Sequence, residues 1–153
     1  MKTRLKLHQV EPDAFEAMMG LEKYVRASGL DKTLVELVKI RASQINRCAF
    51  CIDMHTKDAR HAGETEQRIY ALDAWSETPF FTPQERAALT FTEAVTKIDR
   101  YGVSDTVYEE VSRYFTQEQI VKLLMAIVAI NAWNRLSITT QMIPGSYRVT
   151  TAV

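Results

Sequence analysis

The sequence predicts an all-helical fold, and three observations predict it. Apolar residues recur at three- and four-residue spacing along most of the chain. The few glycines and prolines stand mainly between those runs. No segment alternates apolar and polar residues with turn chemistry at both ends, so none reads as a strand.

Each element follows from its punctuation. Pro12 suits the first turn of a helix that runs to about Ser28 and is stopped by Gly29. Asp31 is placed to cap a second helix, with Leu34, Leu37, Val38, Arg41 and Ile45 on one face. Asn46 and Arg47 interrupt that pattern just before Cys48. A third helix carries Cys51 and His55 and ends at Gly63. Thr65 to about Ala74 reads as a short fourth helix, followed by a loop through Ser76, Thr78 and Pro79. Thr82-Pro83-Gln84-Glu85 has the form of a capping box with proline at the first helical position. The helix it opens extends to about Asp99 and stops at Tyr101-Gly102. Ser104 caps a sixth helix, and Thr116 to Gln119 forms another box. The last helix, Ile120 to about Ile138, is apolar almost all round and is expected to be the most buried; Pro144-Gly145 ends it. Six to seven helices are therefore expected. The halves before and after Trp75 are too dissimilar to form a repeat.

Composition narrows the class. The chain has 153 residues, 46% of them apolar, which supports one domain over residues 1–153 and not two. Nineteen basic residues balance nineteen acidic ones, so there is no electrostatic footprint for nucleic acid. Neutrality also leaves the chain poorly protected from self-association. The first eight residues are charged and do not form a secretory signal. The longest apolar stretch, Leu123 to Ile130, is too short to span a bilayer. The expectation is a cytoplasmic protein with no membrane partner.

The two cysteines carry the chemical information. Cys48 and Cys51 stand three residues apart, so a disulfide between them would close almost no loop and add little stability. That spacing reads as a redox pair or a metal half-site. At the start of a helix the free N–H groups and the positive dipole end favour a thiolate, which is the nucleophile for peroxides. The second thiol then condenses with the resulting sulfenic acid. His55 lies one turn beyond Cys51 on the same helix face, placed to exchange a proton with it. Asp53 is a complication, because a nearby carboxylate raises a thiol pKa.

Other readings compete. A closed zinc site needs four ligands, and His8 and His61 have no second cysteine pair beside them. An open site on Cys48, Cys51 and His55, with Glu36 as a fourth ligand, stays as an alternative. By spacing alone Glu36 reads as a solvated helix residue.

The run Arg41-Ala42-Ser43-Gln44-Ile45-Asn46, then Cys48-Ala49, then Cys51-Ile52-Asp53-Met54-His55, resembles the core of the AhpD-like alkylhydroperoxidase and carboxymuconolactone decarboxylase family. The family pattern is glutamate, eleven residues, cysteine, two residues, cysteine, three residues, histidine. Glu36, Cys48, Cys51 and His55 match it at every spacing. The match is tightest over residues 31–75, and Ile130-Asn131-Ala132-Trp133-Asn134-Arg135 is similar to the C-terminal helix of small members.

The resemblance implies an AhpD-like helical bundle in symmetric homo-oligomers. It implies reduction of organic hydroperoxides, or of a peroxiredoxin disulfide, with Cys51 attacking, Cys48 resolving, and Glu36 and His55 relaying the proton. No bound cofactor is expected. An external dithiol such as dihydrolipoamide, a lipoyl protein or a thiol protein would supply electrons. The helix-start argument alone favours Cys48 as the thiolate; the alignment of His55 with Cys51 favours the family's order.

Two positions depart from the family. Phe50 replaces the histidine that precedes the second cysteine in well-known peroxidase members, which removes one relay element. Arg47 stands where many members have glycine. The decarboxylase branch generally lacks the cysteine pair. Three readings follow: a thiol peroxidase, a redox sensor or disulfide-exchange protein without turnover, and a metal-dependent decarboxylase-like or lactone-acting enzyme. Met18, Met19, Met125 and Met142 read as core or interface fillers. Asn131 and Trp133 read as residues that support the site or fill the core, and Arg135 as a partner for a carboxylate at a subunit contact.

Overall fold

In the computed structural model, which describes residues 2–99 and 102–149, the chain forms eight α-helices, with no strand among those residues. They are α1 (Leu7–Val10), α2 (Pro12–Arg26), α3 (Lys32–Ile45), α4 (Ala49–His61), α5 (Glu66–Ala71), α6 (Pro83–Thr96), α7 (Asp105–Ser112) and α8 (Gln117–Thr140). A 3₁₀ segment, Leu72–Glu77, follows α5.

The caps act where the sequence puts them. Asp31 accepts the Leu34 N–H at 2.8 Å. Thr82 with Glu85, and Thr116 with Gln119, form complete capping boxes. Ser104 accepts from the Val107 N–H.

Several boundaries and one burial expectation need correction. The helix count is eight, not six to seven, because α1 is a single turn with no side-chain cap and too short for a periodic signal. The fourth helix gives way to 3₁₀ geometry at Leu72. Arg41 of α3, which pairs with Asp73 and Glu93, and Trp75, whose indole donates to Glu93 at 2.8 Å, pin that turn there. Helix α6 ends at Thr96. Of the stop expected there, Gly102 has φ +65° and Tyr101 lies outside the described residues. Helix α8 ends at Thr140, where Gln141 takes left-handed φ 55°, ahead of Pro144-Gly145.

The most buried helix is α3, with nine of its 14 residues buried, against nine of 24 in α8. Helix α3 packs against α4, α6 and α8, so it is surrounded. Helix α8 is long and apolar enough to cross a membrane by length and composition. Here it packs against α2, α3, α4 and α6, and its outer stripe is exposed at Val121 and Val128.

The main core joins α3, α6, α7 and α8 through Leu34, Val38, Phe91, Val111, Leu123 and Ile127. A second cluster joins Leu37 and Ile40 to Ala59, Leu72 and Leu89. A third, small cluster of Ala42, Cys48, Cys51 and Ile130 lies where α3, α4 and α8 meet. Both cysteines are thus part of the core and not of a surface loop.

Candidate active site

The turn between α3 and α4 builds the site. Arg47 takes left-handed φ 58°, a conformation glycine adopts without strain. A glycine here would take the turn without that strain. Arg47 is exposed, which fits a solvated loop residue. The reversal lets the Cys48 N–H return to the Ser43 carbonyl at 2.9 Å and makes Cys48 the N-cap of α4. Its Sγ then accepts the Cys51 N–H at 3.4 Å.

The two sulfurs lie 2.6 Å apart, both as free thiols and both 1% exposed. Two side chains of α8 complete their surroundings. The Ser137 hydroxyl is 3.6 Å from Cys51 Sγ, and the Asn134 amide and the Ser137 hydroxyl hydrogen-bond to the pair. Asn134 is held in place. Its Nδ2 donates to Ser43 Oγ at 3.0 Å, and its Oδ1 accepts from Asn46 Nδ2 at 2.8 Å. Asn46 also donates to Asn131, which donates on to Thr96. Asn131 is therefore a support for the site at one remove. Trp133 and Phe50, both half-buried, pack against the sulfur cluster, and Phe15 meets Trp133 edge-on at 6.1 Å.

The environment pushes the two thiols apart. Donation from the Cys51 thiol is the largest influence on Cys48. Burial opposes it, and the Cys51 N–H, Asn134 and Ser137 assist it. The net effect lowers Cys48 from 9.0 to about 7. Cys51 is pushed up, because its proton is held by Cys48, because it is buried, and because the Cys48 charge faces it. One proton therefore leaves the pair near neutrality while the other is retained. A spectroscopic titration at 240 nm should show one thiolate appearing as pH rises through about 7. A single rise near 9 would contradict this arrangement.

His55 and Glu36 meet, as the family resemblance implies and against the solvated reading of Glu36 by spacing alone: His55 Nδ1 lies 2.8 Å from Glu36 Oε2, and His55 is 4% exposed. The open site on both cysteines and His55 is not what assembles. Among the described residues, the ligand-type atoms within 4.8 Å of one another belong to Glu36, His55 and Asp58, without either sulfur. Asp58 accepts a 2.7 Å hydrogen bond from the Tyr147 hydroxyl, and burial together with Asp58 pushes that phenol up to about 12. Asp53 is engaged elsewhere. Lys57 donates to it at 2.8 Å and the Gly145 N–H at 2.9 Å, and these bonds hold its carboxyl below the usual range. Arg135 donates to Asn131 and, among the described residues, to no carboxylate. His8 and His61 are exposed, and Met18, Met19, Met125 and Met142 are half-buried.

Sequence reasoning missed Asn134 and Ser137 as neighbours of the sulfurs, and Asp58 and Tyr147 beside His55. The available signal for the first two was their polarity, three residues apart, on an otherwise apolar helix.

Known proteins share this arrangement of chain. The model of the carboxymuconolactone decarboxylase family matches residues 12–94. The uncharacterised protein YdfG of Bacillus subtilis is 49% identical over 138 residues, covering 90% of this chain and 94% of its own. A crystal structure of a protein of unknown function from Agrobacterium tumefaciens, described as a candidate AhpD antioxidant-defence protein, superposes with a TM-score of 0.92. It is 45% identical and covers 95% of this chain and 100% of that one. The debrominase Bmp8 shares the fold with a TM-score of 0.78 at 21% identity, over 88% of this chain and 73% of its own.

Proposed function

The chain belongs to the AhpD-like carboxymuconolactone decarboxylase family, a family that includes enzymes, and from that premise we propose that it is a thiol-dependent peroxidase. The observation that carries this reading is the buried Cys48/Cys51 pair, its sulfurs 2.6 Å apart, on the helix that one turn later carries His55, itself hydrogen-bonded to Glu36. A hydroperoxide oxidises one thiolate to a sulfenic acid and leaves as an alcohol or water. The other thiol displaces water from that sulfenic acid and closes the disulfide. An external dithiol, such as dihydrolipoamide or a lipoyl or thiol protein, then resets the pair by exchange. Glu36 and His55 move the proton. A peroxiredoxin disulfide is the alternative oxidised substrate, and the reducing cytoplasm is where such a cycle would run. The test is steady-state consumption of cumene hydroperoxide by the reduced protein with excess dihydrolipoamide.

A second reading has support in Phe50, which packs against the sulfurs where a relay histidine would stand. The pair would then act as a sensor, oxidised once and not turned over. One equivalent of peroxide consumed, with no steady state under any dithiol, would favour it.

The same proposal includes self-association. Val121, Met125, Val128, Ala132 and Arg135 recur at alternating four- and three-residue spacing on the outer face of α8, the spacing of a helix–helix seam. Val121 and Val128 are 55% and 43% exposed. Val128→Glu is expected to lower the mass measured by analytical ultracentrifugation to that of one chain. An oligomer unaffected by the change would place the contact elsewhere.

A further inference from the structure

Beyond α8 the chain returns to the helix that carries His55. After the left-handed Gln141, the Gly145 N–H donates to Asp53 at 2.9 Å, Lys57 Nζ donates to the Tyr147 carbonyl at 3.3 Å, and the Tyr147 hydroxyl donates to Asp58 at 2.7 Å. Three residues of α4 thus grip this segment, and Tyr147 is held by its backbone and by its side chain. The grip has a chemical consequence at Asp58. This residue lies one turn beyond His55 on α4, and its carboxylate stands within 4.8 Å of both a His55 ring nitrogen and the Glu36 carboxylate. Among the described residues no lysine or arginine pairs with it, and the adjacent Lys57 turns instead to Asp53 at 2.8 Å. Two carboxylates therefore face one imidazole that is 4% exposed, and the Tyr147 hydroxyl fixes the direction of the second. Glu36 is close enough to act on the Tyr147 phenol as well. Any acceptor on α4 would serve a clasp; the acceptor used here is the carboxylate beside the Glu36–His55 dyad.

We propose that Asp58 is a positioning residue of the proton relay and that Tyr147 sets its orientation, so that the relay comprises Glu36, His55, Asp58 and Tyr147. This deepens the peroxidase reading above and rests on it. The proton concerned leaves a thiol Sγ for a ring nitrogen of His55, and the imidazole becomes an imidazolium. Two fixed negative groups stabilise that cation while it exists, in a site where burial strengthens the attraction. The imidazolium then gives the proton to the leaving oxygen. In the first step the S–O bond forms, the O–O bond breaks, the sulfur is oxidised to the sulfenic acid, and the alkoxide takes the proton and leaves as the alcohol. In the second the other sulfur displaces hydroxide from the sulfenic acid, the S–S bond forms, and the hydroxide takes the proton and leaves as water. His55 ends each step neutral, and Asp58 never receives the proton. Its role is that of a carboxylate that orients a working imidazole and steadies its charged form.

The test is a double-variant cycle read in a single turnover, as the rate at which one equivalent of cumene hydroperoxide converts the reduced protein to its disulfide. Asp58→Asn keeps an acceptor for the Tyr147 hydroxyl and removes the charge. It should slow that rate about ten-fold, and Asp58→Glu should restore part of it. Tyr147→Phe keeps the charge and frees its direction, and should slow the rate about three-fold. In a His55→Ala background, where no imidazolium forms, Asp58→Asn should change the rate by less than about two-fold. Circular dichroism melts verify the fold of each variant, and Tyr147→Phe in the two backgrounds carries the same cycle should Asp58→Asn not fold. Equal slowing by Asp58→Asn with and without His55 would overturn the proposal, because the contact would then act through the fold and not through the relay. A wild-type rate in Asp58→Asn would overturn it too, and either result leaves the peroxidase reading standing. A wild-type protein that peroxide does not oxidise at all would instead remove the peroxidase reading, and the extended relay with it.

Discussion

Cys51→Ser is expected to reduce the steady-state consumption of an organic hydroperoxide to background, a loss of about 10³-fold or more. Cys48→Ser should do the same, and the double variant should be no worse than either. Attacking and resolving thiols act as one unit, so removing the second member of a broken cycle costs nothing further. The expectation holds whichever sulfur attacks first, because a cycle with dithiol reductant needs both to close the disulfide. His55→Ala should be milder, about 10²-fold, since it removes proton transfer and leaves both sulfurs in place. Each variant is compared with wild type under excess dihydrolipoamide, with circular dichroism to verify the fold. A single-cysteine variant that keeps the wild-type rate would end the dithiol mechanism.

The legible part of the site is the local part. Glu36, Cys48, Cys51 and His55 lie within twenty residues on two consecutive helices, and the α3–α4 turn fixes how those helices meet. Spacing therefore carries geometry for the cysteines and His55, whereas Glu36 reads as a solvated residue by spacing alone and its contact with His55 was implied only by the family pattern. The caps at Asp31, Thr82, Ser104 and Thr116 were readable for the same reason, since each bond spans three residues. What was not readable depends on packing between distant segments. Asn134 and Ser137 reach the sulfurs across more than eighty residues, and no periodicity encodes which face of α8 turns toward α4. The burial ranking failed in a related way. An apolar α8 reads as the centre of the fold, yet α3 holds that place because neighbours surround it, and its Lys39 and Arg41 are buried with partners. The one-turn α1 and the left-handed Gln141 likewise leave no pattern long enough to detect.

Lys39 leads to the second large effect. It is 2% exposed, and its Nζ lies 2.5 Å from Glu22 Oε1 on α2; Glu22 is 7% exposed and also approaches Arg26 at 3.5 Å. Lys39→Met should cost about 3 kcal/mol, because it strands a buried carboxylate with only a surface arginine nearby. At this chain length that corresponds to a fall in Tm of about 6–12 °C. Glu22→Leu combined with Lys39→Met should recover most of the loss, since the desolvation of both charges disappears together with their attraction. A double variant as unstable as Lys39→Met alone would mean that the pair contributes through packing and not through charge. The pair also sets an acid limit. Burial would raise the Glu22 carboxyl, but Lys39, with smaller help from His55 and Arg26, outweighs burial and holds it below 4.5. A carboxyl depressed in the folded state contributes stability that is complete above its unfolded value and is lost as pH falls through the folded one. Wild type should therefore lose Tm as pH falls below about 4.5, and the Glu22→Leu/Lys39→Met protein should lose less over the same interval. Parallel Tm curves for the two proteins would assign the acid sensitivity to other carboxylates.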